Sequence, residues 1–176
     1  MKGVDTRIRI EQGDITEYAC DAVVNAANKT LLGGGGVDGA IHRAAGPQLL
    51  NECRALGGCE TGEARITSGY NLKAGYVVHT VGPVWKGGNS DEDRLLSLCY
   101  RNSMAIAVDK GLKSIAFPGI STGVYGFPFE RACWIALQSV SEVLEDNSSV
   151  RSVMMVCFSS ADYKSYWSIM RNLFKE

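Results

Sequence analysis

The chain has 176 residues, a mass of 19.0 kDa and a formal net charge of −1. Hydrophobic residues at 45% and charged residues at 21% exclude a disordered protein, and the length predicts a single domain over residues 1–176. The near-zero charge argues against a protein that binds nucleic acid or a membrane surface through a cationic face. It still permits an anion that is held by main-chain N–H groups.

The predicted elements alternate between strands and helices along the chain. Hydrophobic alternation and short apolar runs predict strands at 6–11, 21–25, 63–68, 75–81, 113–117 and 152–158. Apolar residues at helical spacing predict helices from residue 37 to the Gly46-Pro47 break, over 47–56, from about residue 91, over 129–144 and over 161–174. Such alternation predicts an α/β fold with a layered sheet.

The third helix has the most explicit start signal. The run Ser90-Asp91-Glu92-Asp93 predicts an N-cap followed by an acidic first turn. Leu95, Leu98, Cys99 and Ala105 are then expected to face the core.

Cysteine and histidine usage predicts neither a metal site nor disulfides. The six cysteines include no C-x-x-C pair, and the histidines are limited to His42 and His79, so zinc ligation is not expected. Buried free thiols are the expected state, which suits a reducing, cytoplasmic compartment. The first residues lack the apolar core of a signal peptide, and no apolar run approaches the roughly 20 residues that span a bilayer.

Glycine is the exception in the composition: the chain has 20 glycines among 176 residues, about 11%, against a usual share of roughly 7%. It concentrates in 33–39 and 119–126, and each of these loops follows an apolar strand and leads into a helix. Open α/β sheets bind ligands beyond the carboxyl ends of their strands. Glycine lets main-chain N–H groups close around an anion, and a helix N-terminus adds partial positive charge. The two loops therefore predict a diphosphate-binding cleft.

Two familiar phosphate motifs do not account for these loops. Gly34, Gly36 and Gly39 satisfy G-x-G-x-x-G, but several residues separate them from the preceding strand and a second helical stretch follows. A dinucleotide fingerprint needs the opposite context. The chain also lacks the G-x-x-x-x-G-K-[ST] sequence of a P-loop.

Polar residues beside the first loop are candidates for chemistry. Asp38 and His42 lie four residues apart at the start of a helix, so both can face the glycine run, and Asp38 can act as a general base there. Acidic residues are common in the first turn of a helix even without a catalytic role, and for His42 a surface or hydrogen-bonded histidine is slightly favoured over a functional one. Asn25 and Asn28 flank a strand end and either form the turn or bind hydroxyl groups.

The remaining polar candidates point away from covalent catalysis. His79 lies on a predicted central strand, where we expect a hydrogen-bonded core histidine. Ser121 lacks a G-x-S-x-G context, and no cysteine shares a motif with a histidine. Any hydrolysis is therefore expected to use activated water.

Five segments together resemble the macrodomain family. They are Gln12-Gly-Asp-Ile-Thr16, Val24-Asn-Ala-Ala-Asn28, the run from Gly33 to Gly46, His79-Thr-Val-Gly-Pro83 and Ile120-Ser-Thr-Gly-Val-Tyr-Gly126. The match is closest to the MacroD-type subgroup and, within it, to bacterial O-acetyl-ADP-ribose deacetylases. It covers essentially the whole chain. It implies a three-layer α/β/α domain with a central mixed sheet, an ADP-ribose cleft, no cofactor, and hydrolysis of esters on the distal ribose.

The resemblance also implies roles for individual residues. Asp14 accepts from the adenine amino group, Ile15 makes a main-chain contact, and Phe158 places a ring against adenine. Distal-ribose roles fall to Asn28, which binds the hydroxyls, and to Tyr125, which packs on the sugar. Asp38 positions or deprotonates water, with a substrate phosphate oxygen as the alternative base, and Asn25 supports the loop. The main-chain contacts to the diphosphate and ribose are assigned to Gly34, Gly35, Gly36, Val37, Ser121, Thr122, Gly123, Val124 and Gly126.

Two positions depart from the family pattern. Gly119 stands where bulkier small residues are common, and Phe158 lacks a phenolic hydroxyl. Neither is one of the catalytic positions that the resemblance implies.

Three other functions remain open at this point. Many macrodomains bind ADP-ribose or ADP-ribosylated proteins without catalysis, and retention of Asp38 and Asn28 favours the enzyme over such a reader. Bacterial relatives are also associated with a ribonuclease partner, on which the residues are silent. A nicotinamide-dependent oxidoreductase is the least favoured alternative.

Overall fold

A computed structural model describes residues 6–173, which form six strands and five α-helices. The strands are β1 (Ile8–Gln12), β2 (Ala22–Ala26), β3 (Ala64–Ser68), β4 (Tyr76–Thr80), β5 (Ser114–Phe117) and β6 (Ser152–Cys157). The helices are α1 (Gly36–Ala45), α2 (Pro47–Leu56), α3 (Glu92–Asp109), α4 (Phe129–Asp146) and α5 (Ser160–Leu173). A short 3-10 helix (Ile15–Glu17) follows β1.

The six strands form one mixed sheet in the order β1-β6-β5-β2-β4-β3. All neighbours are parallel except β3, which pairs antiparallel with β4 at one edge. The carboxyl ends of the five parallel strands therefore lie along one edge of the sheet. We call this the carboxyl edge. The loops that follow β1, β2, β5 and β6 begin there.

Helices cover both faces of the sheet. On one face, Ile41 of α1 and Leu49 of α2 are fully buried in a cluster that includes Val23 and Val77. The opposite face packs against α3, α4 and α5, which contribute Met104, Leu137, Tyr166 and other side chains to a second cluster. Alternate residues of the central strands enter opposite clusters, as the period of two along a strand requires. The expected three-layer α/β/α fold with a central mixed sheet is confirmed.

The predicted strands and helices agree with the structure to within one or two residues at most ends. The first helix begins at Gly36 rather than at residue 37, and the fourth extends to Asp146. The predicted end of the fifth helix, Phe174, lies outside the described residues.

The predicted orientation of α3 is wrong by about one residue. Its fully buried positions include Leu96, Tyr100 and Met104, whereas Leu95 and Leu98 are half-buried and Ala105 is exposed. The two predicted leucines pack instead beside Gly62, where a Cβ would lie 3.4–3.5 Å from their side chains. Only Cys99 of the expected stripe is buried.

The start of α3 also differs from the predicted cap. Asp91 occupies the N-cap in the left-handed region, with φ +64°, and its side chain makes no capping hydrogen bond. Glu92 and Asp93 do form the expected acidic first turn, and the Glu92 carboxylate accepts from the Ser90 N–H at 3.1 Å. The acidic run therefore begins the helix through its first turn rather than through the cap.

All six cysteines are free thiols, and five of them are buried while Cys20 is half-buried. Burial raises the pKa of several of these thiols, for example to about 11 for Cys53 and about 12 for Cys157. They are uncharged at neutral pH and are poor nucleophiles. Over residues 6–173, no cluster of three His, Cys, Asp or Glu side chains could hold a metal ion, and no helix is long and apolar enough to cross a membrane.

Candidate functional site

The carboxyl edge brings four of the predicted ligand-binding segments together. Asp14 follows β1, Phe158 follows β6, the loop 118–128 follows β5, and the loop 27–35 follows β2. These strands are consecutive in the sheet, in the order β1-β6-β5-β2. At about 4.8 Å between neighbouring strands, the four loops span roughly 14 Å. The candidate site is therefore elongated and suits an extended ligand.

Asp14 and Phe158 form one end of this site. Gln12 pairs with Cys157 in the β1–β6 ladder, and the Gly13 N–H continues the pairing with a 2.9 Å bond to the Cys157 carbonyl. The next residues, Asp14 and Phe158, therefore emerge side by side. Both are exposed, Phe158 at 84%, whereas Ile15 is buried and can offer a ligand only its main chain.

The Asp14 carboxylate is oriented by its own turn. Its Oδ1 accepts from the Thr16 main-chain N–H at 2.9 Å and from the Thr16 hydroxyl at 2.7 Å. Its Oδ2 has no partner within residues 6–173. One acceptor oxygen is therefore fixed and the other is available to a donor such as an exocyclic amino group.

At the other end of the site, Asn28 shapes the loop after β2. Its Nδ2 donates to the Gly33 carbonyl at 2.9 Å, and its Oδ1 accepts from the Thr30 main-chain N–H and hydroxyl. Leu31 and Gly33 adopt positive φ values of 60° and 90°. The Asn28 side chain thus holds the glycine run in a closed turn after β2, which is the turn-forming role that the sequence left open beside hydroxyl binding.

Asp38 lies beside the Asn28 amide, with Gly34 between them. A Cβ on Gly34 would lie 3.2 Å from Asp38 Oδ2 and 3.4 Å from Asn28 Nδ2. Asp38 belongs to the first turn of α1 and is only 4% exposed. The structure therefore brings together the predicted catalytic residues Asn28 and Asp38.

Main-chain donors line the start of α1. Gly35 is the N-cap and makes no side-chain capping bond, and Gly35 and Gly36 are exposed. The first N–H groups of a helix lack partners within the helix and carry partial positive charge. The loop reaches this position because Gly39 has no side chain, since its Cβ would lie 2.5 Å from the Gly34 carbonyl oxygen. An anion can therefore bind here through main-chain groups.

Asn25, on β2, holds the Asp38 carboxylate from the side of the sheet. It is fully buried, and its Nδ2 donates to Asp38 Oδ1 at 2.8 Å. The same carboxylate oxygen lies 3.4 Å from His42 Nε2 on the next turn of α1, and His42 also lies against Gly33. Asp38 and His42 thus both face the glycine run, as their spacing predicts. Asn25 supports Asp38 itself rather than the loop alone.

His79 is a buried, hydrogen-bonded core histidine, as expected. It is fully buried, with Nδ1 at 3.1 Å from Asn25 Nδ2 and Nε2 at 2.9 Å from the Thr67 hydroxyl. Burial, with a smaller contribution from the neighbouring His42, lowers the pKa of His79 to about 3. The ring is therefore neutral at physiological pH.

The loop after β5 is held by main-chain hydrogen bonds and by close packing of Gly82 against Ser121. The Phe127 N–H donates to the Ser121 carbonyl at 2.9 Å, and the Trp85 N–H donates to the Tyr125 carbonyl at 2.8 Å. Ser121 adopts a φ of +64°. Gly82 passes so close that a Cβ there would lie 2.1 Å from Ser121 Oγ. The segment after β4 therefore clamps this loop.

The same loop presents an open surface beyond these contacts. Val124 is fully exposed, Gly123 and Gly126 are exposed, and Tyr125 and Thr122 are half-buried. A Cβ on Gly123 or Gly126 would meet nothing within 4 Å. This loop follows β5 and the Asn28 loop follows β2, its neighbour in the sheet, so their predicted pairing across one site agrees with the topology.

Two supporting groups were not identified as such from the sequence. The first is Trp85, whose main-chain N–H donates to the loop after β5 and whose ring packs at a tilt against Phe127, with ring centroids 4.8 Å apart. The Arg131 guanidinium lies 5.3 Å from the centroid of the Trp85 ring. The other is the link between His79 and Asn25. Each of these residues is the fourth of an apolar strand, but the pairing of Asn25 with His79 depends on β2 and β4 being neighbours in the sheet, which the sequence pattern does not show.

Comparison with known proteins agrees with this geometry. The Macro domain family matches residues 24–136, which include both glycine loops. The chain belongs to the macrodomain family. It is 61% identical over 159 residues to the "Macro domain-containing protein" of Methanosarcina mazei, covering 90% of this chain and 85% of that protein. It is also 48% identical over 168 residues to "O-acetyl-ADP-ribose deacetylase 1" of Pantoea vagans, covering 93% and 98%.

A solved structure extends the likeness to the whole fold. A variant of the Oceanobacillus iheyensis macrodomain with ADPR superposes with a TM-score of 0.92 at 44% identity, covering 96% of this chain and 94% of that one. The macrodomain fold implied by the sequence motifs is thereby confirmed.

Two glycines of this macrodomain offer a matched test of the Asp38–Asn28 arrangement. Gly34→Ala should displace both side chains, because its Cβ would lie within 3.2–3.4 Å of them. Gly75→Ala should not, because Gly75 precedes β4 at the other end of the sheet and its Cβ would make only an ordinary contact, 3.4 Å from the Asp21 carbonyl oxygen. For the ester hydrolysis proposed below, we expect Gly34→Ala to lower kcat by about 10-fold or more and Gly75→Ala to leave kcat within about 2-fold of wild type. Equal kcat values at saturating substrate would contradict the arrangement.

Proposed function

We propose that the protein binds ADP-ribose and hydrolyses acyl esters on its distal ribose. We expect O-acetyl-ADP-ribose to be one substrate. Proteins that carry mono-ADP-ribose on acidic side chains contain the same kind of ester and are the second candidate substrate. The observation that carries this proposal is the Asp38 carboxylate, held by Asn25 and facing Gly34 beside the Asn28 amide. The relative named O-acetyl-ADP-ribose deacetylase supports it.

The elongated site suits the parts of ADP-ribose in order. Asp14 offers its Oδ2 to the adenine amino group, and the exposed Phe158 ring offers an apolar surface to the base. The diphosphate would bind to main-chain N–H groups of Gly34 to Val37 and of Ser121 to Gly126. Asn28 and Tyr125 then lie at the distal ribose. This assignment places the ester at the end of the site that holds Asp38.

The chemistry requires an activated water molecule. Its oxygen attacks the acyl carbonyl carbon, the bond from that carbon to the ribose oxygen breaks, and the ribose hydroxyl is restored as the acid departs. Asp38 is placed to orient this water and to take its proton, with a substrate phosphate oxygen as the alternative base. The cysteines do not supply a nucleophile, since burial raises the pKa of the nearby Cys53 thiol to about 11.

Mass-resolved hydrolysis tests the proposal directly. Purified protein is incubated with O-acetyl-ADP-ribose and, separately, with a peptide carrying ADP-ribose on glutamate, while calorimetry measures ADP-ribose binding. We expect binding and release of ADP-ribose from at least the first substrate. Tight binding without release from either would make the protein a reader. Absence of binding would overturn the proposal.

The adenine end of the site makes a separate prediction. In Asp14→Asn, the amide oxygen can keep the two bonds from Thr16, so an NH2 group would replace the free Oδ2. Adenine would then meet a donor instead of an acceptor. We expect ADP-ribose affinity to fall about 10-fold, as for loss of one hydrogen bond to a charged group.

A hypoxanthine analogue of ADP-ribose provides the control for Asp14→Asn, because its base presents an acceptor where adenine presents the amino group. The wild type should favour the adenine ligand, and the variant should lose or reverse that preference. An unchanged preference, measured by competition calorimetry, would remove Asp14 from adenine recognition.

A further inference from the structure

A chain of buried polar contacts runs from the edge strand β3 to the carboxylate of Asp38. The Thr67 hydroxyl lies 2.9 Å from His79 Nε2, His79 Nδ1 lies 3.1 Å from Asn25 Nδ2, and Asn25 Nδ2 lies 2.8 Å from Asp38 Oδ1. All four residues are buried, and Asp38, at 4% exposed, is the least so. Buried polar groups of this kind are costly unless every bond is well made, so their geometry is tightly determined.

Strand register puts these residues in one row. β2 and β4 are parallel and pair Asn25 with His79. In the antiparallel β3–β4 ladder, Arg65 pairs with His79, and Thr67 lies two residues further along on the same face. That face is the one covered by α1 and α2, so the row ends at Asp38 in the first turn of α1.

The chemistry of Asp38 determines the proton positions along this row. A carboxylate oxygen accepts, so the Asn25 atom facing Asp38 must be the NH2 group. The second hydrogen of that group faces His79, so Nδ1 must carry a lone pair. The ring proton then lies on Nε2, which donates to the Thr67 hydroxyl. In this orientation both contacts of the Asn25 amide are made by its NH2 group, and its Oδ1 is buried without a hydrogen-bond partner within residues 6–173.

We infer that His79 is a positioning residue for Asp38. As the neutral tautomer protonated at Nε2, it fixes the Asn25 amide so that its N–H group points at the Asp38 carboxylate. The expected effect of His79 on catalysis rests on the proposed hydrolase function. The tautomer and the amide orientation are properties of the folded protein and can be tested without substrate.

The alternative proton arrangements would reverse the amide. A proton on Nδ1 would oppose two donors across 3.1 Å, and the Asn25 amide would rotate to bring its oxygen to the ring. The same rotation would place that oxygen against the Asp38 carboxylate, where two acceptors repel. Burial of the ring keeps it neutral, and the thiol of Cys53, 3.7 Å from Nε2, is uncharged. The surroundings therefore maintain a single proton arrangement.

Two substitutions at His79 separate positioning from packing. In His79→Asn, the side-chain Oδ1 replaces Nδ1 as an acceptor for Asn25, while the contact with Thr67 is lost. In His79→Gln, a longer amide can reach Thr67, but the acceptor at the Nδ1 position is lost. Both variants leave part of the imidazole volume empty, so both should be less stable than wild type. His79→Asn keeps an acceptor facing Asn25 and His79→Gln does not, so only His79→Asn should preserve the amide orientation at Asp38.

Kinetics and binding are measured for both variants at a temperature where each is folded. We expect His79→Gln to lower kcat for O-acetyl-ADP-ribose about 10- to 100-fold, as for loss of a group that orients a site residue. ADP-ribose Kd should stay within about 3-fold, and His79→Asn should recover most of the lost kcat. Equal losses of kcat in the two variants, or a loss confined to Kd, would overturn the inference.

Nitrogen-15 NMR of the imidazole in the ligand-free wild type decides the tautomer. We expect a neutral ring with the proton on Nε2 from pH 5 to 8. A proton on Nδ1, or a charged ring at pH 6, would overturn the inference whatever the activity. A wild type that binds ADP-ribose without turnover would overturn the proposed enzyme activity, and the NMR result would still decide the His79 assignment.

Discussion

Replacing Asp38 with asparagine should lower kcat for O-acetyl-ADP-ribose hydrolysis by about 10²- to 10⁴-fold, the usual contribution of general base catalysis. Asparagine has nearly the same shape, and its Oδ1 can still accept from Asn25, which now donates to the carboxylate at 2.8 Å. The variant therefore removes the capacity to take a proton while retaining the packing of a residue that is 4% exposed. ADP-ribose affinity should change little.

The measurement is a single-turnover rate with ADP-ribose Kd measured on the same preparation. Asp146→Asn is the control, since this exposed residue ends α4 at the opposite end of the sheet from the carboxyl edge. It should behave as wild type. If Asp38→Asn keeps more than about a third of the wild-type rate, Asp38 is not the base, and a phosphate oxygen of the substrate becomes the candidate.

Acid should destabilise the protein through His79. Its pKa is 6.5 in the unfolded chain and about 3 in the folded one. Between these values the unfolded state binds the extra proton, so the free energy of unfolding decreases as pH falls from about 6.5 towards 3. Because lowering a pKa by one corresponds to about 1.4 kcal/mol, this single group can account for up to roughly 5 kcal/mol. Above pH 6.5 its contribution is fully present.

Denaturant unfolding at pH 7, 5.5 and 4 isolates this effect when wild type is compared with His79→Gln and His79→Asn. Both variants lack the titrating ring, so their stability should fall less steeply than that of wild type over this range. Carboxylates titrate in all three proteins and cancel in the comparison. Parallel pH profiles would show that His79 does not titrate differently in the folded and unfolded states.

The sequence predicted most accurately the features that depend only on residues close together in the chain. Strands such as β2 and β4 are short apolar runs bounded by turn residues, and their limits follow from that pattern. The glycine run before α1 likewise predicts a main-chain anion site, because four consecutive glycines are costly to order without a ligand. The spacing of Asp38 and His42 gives their common orientation from helix geometry alone.

The orientation of α3 shows where such patterns fail. Leu95, Leu96 and Leu98 are equally hydrophobic, so the sequence pattern alone allows the helix to bury Leu95 and Leu98 instead of Leu96. In the structure Leu96 occupies the core, while the other two leucines cover Gly62 at the edge of the sheet. A helix with apolar residues over a wide arc does not by itself determine which part faces the sheet.

The polar row behind Asp38 was out of reach for a different reason. Each of its members has an ordinary explanation when considered alone, such as a core histidine or a turn asparagine. Their connection depends on strand order, which places β4 next to β2 and β3 next to β4. Pairing partners that are far apart in the sequence are not given by local periodicity. The order and register of the strands in the sheet therefore reveal this polar row, which the sequence motifs do not.

The loop after β5 has a consequence for how this protein can diversify. Its shape depends on bonds from the Phe127 and Trp85 main-chain N–H groups and on the absence of a side chain at Gly82, whereas the Val124 side chain is fully exposed. Substitution of Val124 therefore alters the exposed surface of this loop and leaves the bonds that shape the loop intact. Under the proposed function, the ester preference can change at this position without loss of the fold.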